Sequence, residues 1–309
     1  MSVNLTILQI DSATVNLEHA HRFRLRVGYR IASLVIFAVL LYGLDYYLSD
    51  EKQRALSPKH ALLKPGGTIG LTLGIVGFAL FLMMYLYPIR LLWAWLGRQG
   101  SSRHWLDFHV FLGLVAPLFV TLHSSFKFHD IAGMAFWIMI LVALSGLLGR
   151  YIYAQIPRTL NYTEMTLNEG KQQMAALASR IGTLGAISAK DVEGLFHLPD
   201  LRQAEEMSLI SALWKMLAFD LVFPYRMWRI RRRTLWRCSL MNFGRSPNVP
   251  LKRTVSLIRE QALLSKKIFF LSKSQQMLKL WHIIHRPFSY SFAILALLHV
   301  ILMVVFGYY

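Results

Sequence analysis

Five stretches of this chain are apolar over roughly 20 residues, enough to cross ~30 Å of hydrocarbon at ~1.5 Å per residue. They run from Val27 to Leu48, Thr68 to Tyr87, Phe108 to Phe126, Ile131 to Ile156 and Pro287 to Phe306. The middle three carry almost no charge, and aromatic residues gather at the ends of the set: Tyr46 and Tyr47, Trp93 and Trp95, Trp105, Trp281, Tyr308 and Tyr309. Rings of that kind anchor at headgroup level. The pattern predicts an all-α integral membrane bundle of about five transmembrane helices. A content of 55% hydrophobic and 16% charged residues agrees, since it lies outside the usual balance of a water-soluble domain.

The net charge of +18 would suit a nucleic-acid-binding protein in sum, but not in distribution. The cations flank the apolar spans and crowd one loop, so membrane topology accounts for them and no nucleic-acid partner is expected. Arg22, Arg24, Arg26 and Arg30 precede the first span, Arg90, Arg98 and Arg103 follow the second, and Arg229 and Arg231 to Arg233 lie beyond the fourth. Lysine and arginine favour the cytoplasmic side. That bias places the amino terminus and residues 157–280 in the cytoplasm and the carboxy terminus opposite, in a bacterial-type inner or plasma membrane. The one moderately basic loop on the other side, residues 49–67, also carries Asp50 and Glu51. The first 26 residues, with Asp11, Glu18 and His19, do not read as a cleavable secretory signal.

The chain thus reads as residues 1–156 with four spans, a basic and largely helical cytoplasmic insert over 157–280, and a fifth span within 281–309. Helix-like stretches in the insert lie near Thr163 to Arg180, Leu201 to Phe219 and Leu251 to Leu280. From Leu213 to Arg233, Trp214, Phe219, Phe223, Tyr225 and Trp228 alternate with cations. Two readings fit that mixture: an amphipathic element on the cytoplasmic membrane surface, its arginines meeting anionic lipid, or a solvated basic helix packed on the bundle.

The histidines within the spans are not scattered. His109 and His123 lie 14 residues apart on the third span, and His285 and His299 lie 14 apart at the start and middle of the fifth. Fourteen steps of a helix return to within about 40° of the starting direction while rising ~21 Å. Spans three and five are separated by one span and run parallel, so His109 shares a level with His285 and His123 with His299. Two imidazoles at one level are what a six-coordinate haem iron needs. The expectation is therefore two b-type haems, the inner held by His109 and His285 and the outer by His123 and His299. The single cysteine, Cys238, excludes an intramolecular disulfide framework, a C-x-x-C-H covalent haem site and a four-cysteine cluster held by this chain alone.

Between the two levels, Ala116 and Phe292 fall seven residues from each histidine, a small residue and a large one to pack the gap. Gly113, Gly146 and Gly149 would let a flat macrocycle approach, although small residues also serve ordinary helix packing in membranes. Arg103 and Arg286 stand where they could meet the propionates of the inner haem, and Lys127 those of the outer one; the same cations would also serve as interfacial anchors. His282, one turn before His285, has Ala296 where a partner would be, and His104 and His129 lie at span ends.

The strings "HVFLGLVAPLFVTLH" and "HRPFSYSFAILALLH", with the five-span count, resemble the di-haem cytochrome b proteins, among them the membrane subunits of respiratory nitrate reductase and formate dehydrogenase and the cytochrome b of quinol-oxidising complexes. The resemblance covers the bundle, about half of the chain. It implies quinone or quinol chemistry at one membrane face and electron passage to an iron–sulfur, flavoprotein or cytochrome c partner. The insert is larger than such anchors usually carry, and "GRYIYAQIPR" and "WHIIHRPFSYSF" look like motifs of a narrower lineage. A flavin-dependent reductase with stacked haems is disfavoured, because "GGTIG" and "GTLG" lack the strand–turn–helix setting of a nucleotide fingerprint.

The expected function is an electron-transfer subunit rather than a self-sufficient enzyme. Its rivals are a proton-relaying transporter, against which stands the lack of acidic residues inside spans three to five, and a non-catalytic haem-handling scaffold.

Overall fold

The computed structural model describes residues 2–156, 172, 206–241 and 248–307, and every regular element among them is helical. In chain order these are α1 (Ser2–Tyr42), α2 (Leu44–Leu48), α3 (Glu51–Arg54), α4 (His60–Leu63), α5 (Thr68–Met84), α6 (Leu86–Leu92), α7 (Ala94–Gly97), α8 (Ser102–His123), α9 (Asp130–Gln155), α10 (Leu209–Met241), α11 (Asn248–Phe269) and α12 (Leu271–Val305). Five segments are long and apolar enough to cross a membrane: Leu17–Tyr42, His60–Leu92, Ser102–His123, Ala132–Gln155 and Leu271–Val305. The protein is an all-α integral membrane protein. It divides into two compact units, residues 1–148 with 284–309 and residues 149–283. The stretch from Thr163 to Arg180 and the start of the one from Leu201 lie outside the described residues, as do the side chains of Arg231 and Arg233.

In the first unit the dominant contact is α5 against α8. Gly77 makes it close: a Cβ there would stand 3.0 Å from Val120 Cγ2. On the other flank of α8, α1 brings Gly28 to Phe111, where a Cβ would meet the ring at 3.1 Å. Small residues give membrane helices this proximity in place of a hydrophobic driving force. A second cluster joins Phe81 of α5, Phe136 and Met139 of α9 and Phe292 of α12.

Both ends of the α5–α8 pair are tied by a buried arginine that bonds carbonyls. Arg54 donates to the backbone oxygens of Ser49, Tyr47 and Ser125. Arg90 donates to Gly97 O at 2.9 Å, Gly100 O at 3.0 Å and Ser102 Oγ at 3.0 Å. The fork of five donors suits several oxygens at once, where a lysine offers a single point. Sequence reading takes Arg90 only as a topology signal.

Most span limits differ from expectation, and three of the differences change the setting of residues named above. The first span stops at Tyr42, because the chain turns at Gly43, where a Cβ would lie 2.7 Å from Tyr47 Cε2 and 2.8 Å from Leu63 Cδ1. Tyr46 and Tyr47 are consequently buried and not headgroup anchors; the Tyr46 hydroxyl pairs with His60 Nδ1 at 3.2 Å. Burial pushes the Tyr47 phenol up to about 12, and among the described residues its hydroxyl has no hydrogen-bond partner. The third span begins at Ser102, capped by the Ser101 side chain, which accepts from the His104 backbone at 3.3 Å. The last helix begins at Leu271 and runs through Pro287, so His285 stands well inside it. Proline is tolerated in membrane helices where neighbours satisfy the freed backbone groups.

The second unit is held by α10, α11 and the adjoining ends of α9 and α12 around Ile152, Ala212, Met216, Phe269, Phe270 and Met277. Lys266 is 1% exposed and reaches Asp220 Oδ2 at 2.6 Å, and the Tyr151 hydroxyl donates to the same oxygen at 2.7 Å. Burial pulls the Lys266 ammonium down from its usual range, against the opposing pull of the Asp220 carboxylate.

Arg54→Ala leaves three carbonyls, two of them in buried bonds, without their donor and should lower stability by about 3 kcal/mol. Arg54→Lys should recover only part of that loss. Thermal unfolding of the purified protein in detergent measures both; equal stability of all three proteins would contradict the role of the fork.

Candidate functional site

A neutral imidazole buried in an apolar span brings one donor and one acceptor nitrogen, and both need partners. In α8, His109 Nδ1 lies 3.0 Å from the carbonyl oxygen of Met84, and His123 Nδ1 lies 2.8 Å from that of Gly70. A carbonyl only accepts. The proton of each ring therefore sits on Nδ1, and Nε2 is the unprotonated nitrogen.

The acceptors share the periodicity of the donors. Gly70 and Met84 are 14 residues apart on α5, as His109 and His123 are on α8. The helices are consecutive spans, so the two series run in opposite directions and meet at both ends. Each acceptor has a local reason. Met84 is the last residue of α5, where carbonyls lack intrahelical partners. At the other end Gly74 provides the room: a Cβ there would lie 2.6 Å from His123 Nδ1, so its absence lets the ring reach the Gly70 carbonyl one turn earlier.

His285 on α12 is held by a side chain instead. Its Nδ1 is 2.7 Å from Ser145 Oγ on α9, and Ser145 Oγ lies 2.8 Å from the Val142 carbonyl oxygen. A hydroxyl that donates to Val142 is an acceptor for Nδ1–H of His285, so the geometry accommodates the same tautomer without fixing it. Gly146 is the adjoining small residue, with His285 Cε1 3.7 Å from where its Cβ would be. The His299 ring lies within electrostatic reach of His123. Three of the four histidines thus have Nδ1 engaged by a neighbouring helix, and for His109 and His123 the carbonyl partner defines the tautomer.

The remaining expected residues have other occupations. Gly113 faces α5, where Met84 Sδ would be 3.4 Å from an added Cβ. Ala116 is buried in α8, and Phe292 packs edge-on to Phe81 with ring centres 4.5 Å apart. Gly149 gives way to the Trp281 ring, into which a Cβ would run. Arg103 lies 3.6 Å from the Glu18 carboxylate, and His104 Nε2 lies 3.1 Å from its second oxygen. Lys127 pairs with Glu51 at 3.1 Å and, chiefly through that bond, holds the Glu51 carboxyl below its usual range. Arg286 is exposed.

Ser145, Gly70, Gly74 and Met84 are absent from the sequence reading. The glycine spacing in "GLTLGIVG", at 70, 74 and 77, is the one signal that would have pointed to α5. Among the described residues no group of three or more His, Cys, Asp or Glu side chains is placed to hold a metal ion. A haem iron needs only two protein ligands, since the porphyrin supplies four.

Gly74→Ala should displace the His123 ring and lower stability by about 1–3 kcal/mol through overpacking. Gly113→Ala, with ordinary van der Waals space at Met84, should be nearly neutral. Unfolding in detergent compares them, and an equal effect of the two would contradict the special fit at Gly74. No protein-family model, curated protein or solved structure matches this chain, so the geometry above is the basis for its functional reading.

Proposed function

We propose that this chain is a di-haem b-type cytochrome, a membrane subunit that carries electrons across the bilayer between a quinone or quinol pool and a partner redox protein. The observation that supports it is that His109, His123 and His285 each have Nδ1 engaged by a neighbouring helix, with Nε2 the lone-pair nitrogen of His109 and His123. Any buried imidazole needs its N–H paired; an iron-ligating one needs that pairing at one nitrogen and the other left for the metal, and the three rings share that arrangement at Nδ1.

In this reading His109 and His285 hold one haem and His123 and His299 the other. Bound haem supplies reversible one-electron chemistry at iron, with a potential set by ligands, hydrogen bonding and burial. The chain's own residues do the rest. The Met84 and Gly70 carbonyls and the Ser145 hydroxyl fix the rings and raise their basicity as ligands. The apolar walls of α5, α8, α9 and α12 exclude water. In this reading the amino terminus and the insert over 157–280 are cytoplasmic, as the arginine bias favours, and a basic surface there suits an acidic iron–sulfur protein or flavoprotein. Arg103 and Lys127, paired with Glu18 and Glu51, would need to exchange those partners to meet propionates; the exposed Arg286 would not.

The purified protein should show reduced b-type bands and, by pyridine haemochrome, two haems per chain. His109→Ala and His285→Ala should each remove the same haem, and His123→Ala and His299→Ala the other. Ser145→Ala should weaken retention of the His285 haem by about 10- to 100-fold while sparing the second. A haem-free spectrum would favour a proton-relaying transporter, and substoichiometric haem a haem-handling scaffold.

A further inference from the structure

Helix α10 is apolar on two opposite faces. Ala212, Met216, Phe219 and Phe223 recur at four- and three-residue steps and turn into the second unit, where Ala212, Met216 and Phe223 are buried. About half a turn away lie Ile210, Trp214, Leu221, Tyr225 and Trp228, all exposed: Trp214 is 73% exposed, Leu221 79% and Trp228 53%. This second stripe continues for 18 residues, about 27 Å at ~1.5 Å per residue. None of it falls in a segment able to span a membrane.

The charge on α10 is almost all of one sign. Arg229 and Arg232 flank the stripe and are exposed, Lys215 and Arg226 are exposed further round the helix, and the only carboxylate in α10, Asp220, is engaged by Lys266 and Tyr151. Two of the arginines lie over the stripe's own rings, Arg229 over Tyr225 at 4.9 Å and Arg232 over Trp228 at 5.3 Å. Aromatic rings carrying guanidinium groups, next to aliphatic side chains on a helix whose one carboxylate is engaged elsewhere, suit the boundary between acyl chains and phosphates.

We propose that this face of α10 lies in the headgroup layer of an anionic membrane leaflet, the apolar stripe entering the acyl boundary and the arginines meeting lipid phosphates. A bilayer is favoured over a protein partner because both ends of the second unit, Gly149 and Ile283, belong to membrane-spanning helices. The unit is tethered to lipid at high effective concentration, whereas a partner would have to be recruited. The inference is independent of the haem reading.

The test uses the full chain in nanodiscs, with the sole cysteine replaced (Cys238→Ser) and an environment-sensitive fluorophore on Leu221→Cys, an exposed position. In discs of phosphatidylcholine with phosphatidylglycerol, emission should be blue-shifted and quenched by lipids bearing a nitroxide at the headgroup. Arg226→Gln, Arg229→Gln and Arg232→Gln together, or phosphatidylcholine alone, should lose much of that quenching. Water-like emission in anionic discs would overturn the proposal. So would blue-shifted emission that lipid nitroxides do not quench, which would assign the face to a protein or a second copy. Quenching indifferent to lipid charge and to the arginines would overturn the anionic selectivity.

Discussion

An imidazole carried into the interior of a membrane protein brings a donor that cannot stay unpaired, and most of the first unit is arranged around that requirement. The α5–α8 contact answers it twice, at Gly70 and at Met84, with carbonyls set at the same 14-residue interval as the histidines they serve. That match requires the helices to lie close and in one register. Gly74 and Gly77 give the closeness, and the buried forks of Arg54 and Arg90 fix the two ends of the pair. The Arg54 fork bonds Ser125, two residues beyond His123, so the register at that histidine depends on it directly.

On the facing side the same requirement is met by a side chain. Ser145 Oγ lies within hydrogen-bond distance of both the Val142 carbonyl one turn back and His285 Nδ1. Serine in a helix commonly bonds a carbonyl of the preceding turn. Here the habit leaves the hydroxyl oxygen as an acceptor pointed at a neighbouring helix. The Tyr85 hydroxyl, donating to the Ser289 carbonyl at 2.7 Å one turn beyond His285, holds α12 against α5. Carbonyls and a hydroxyl thus serve one end: each ring is held at Nδ1, and for His109 and His123 the lone pair is on the remote nitrogen.

Much of this was legible in the sequence, because hydrophobic length marks spans and identical spacing singles out the two histidine pairs. The acceptors were not, since every residue carries a carbonyl and only tertiary register decides which one meets a ring. Tyr46 and Tyr47 looked like interfacial anchors, but the turn at Gly43 sends them inward. Pro287 looked like the start of a span; the helix passes through it, so His285 is flanked by helix on both sides. Arg103 and Lys127 looked available for propionates, and a linear reading could not foresee that Glu18 and Glu51 lie beside them. Periodicity suggested an amphipathic α10 but not its two opposed apolar faces, which emerge once one of them is seen to be buried.

The central claim is that paired imidazoles present Nε2 to iron at two levels of one bundle. Low-temperature electron paramagnetic resonance of the oxidised protein in its own membranes tests it most directly. The account predicts two low-spin ferric signals of bis-imidazole type, one absent from the His109→Ala protein and the other from the His123→Ala protein. High-spin iron alone, or no iron signal from a folded protein with all four histidines in place, would contradict it.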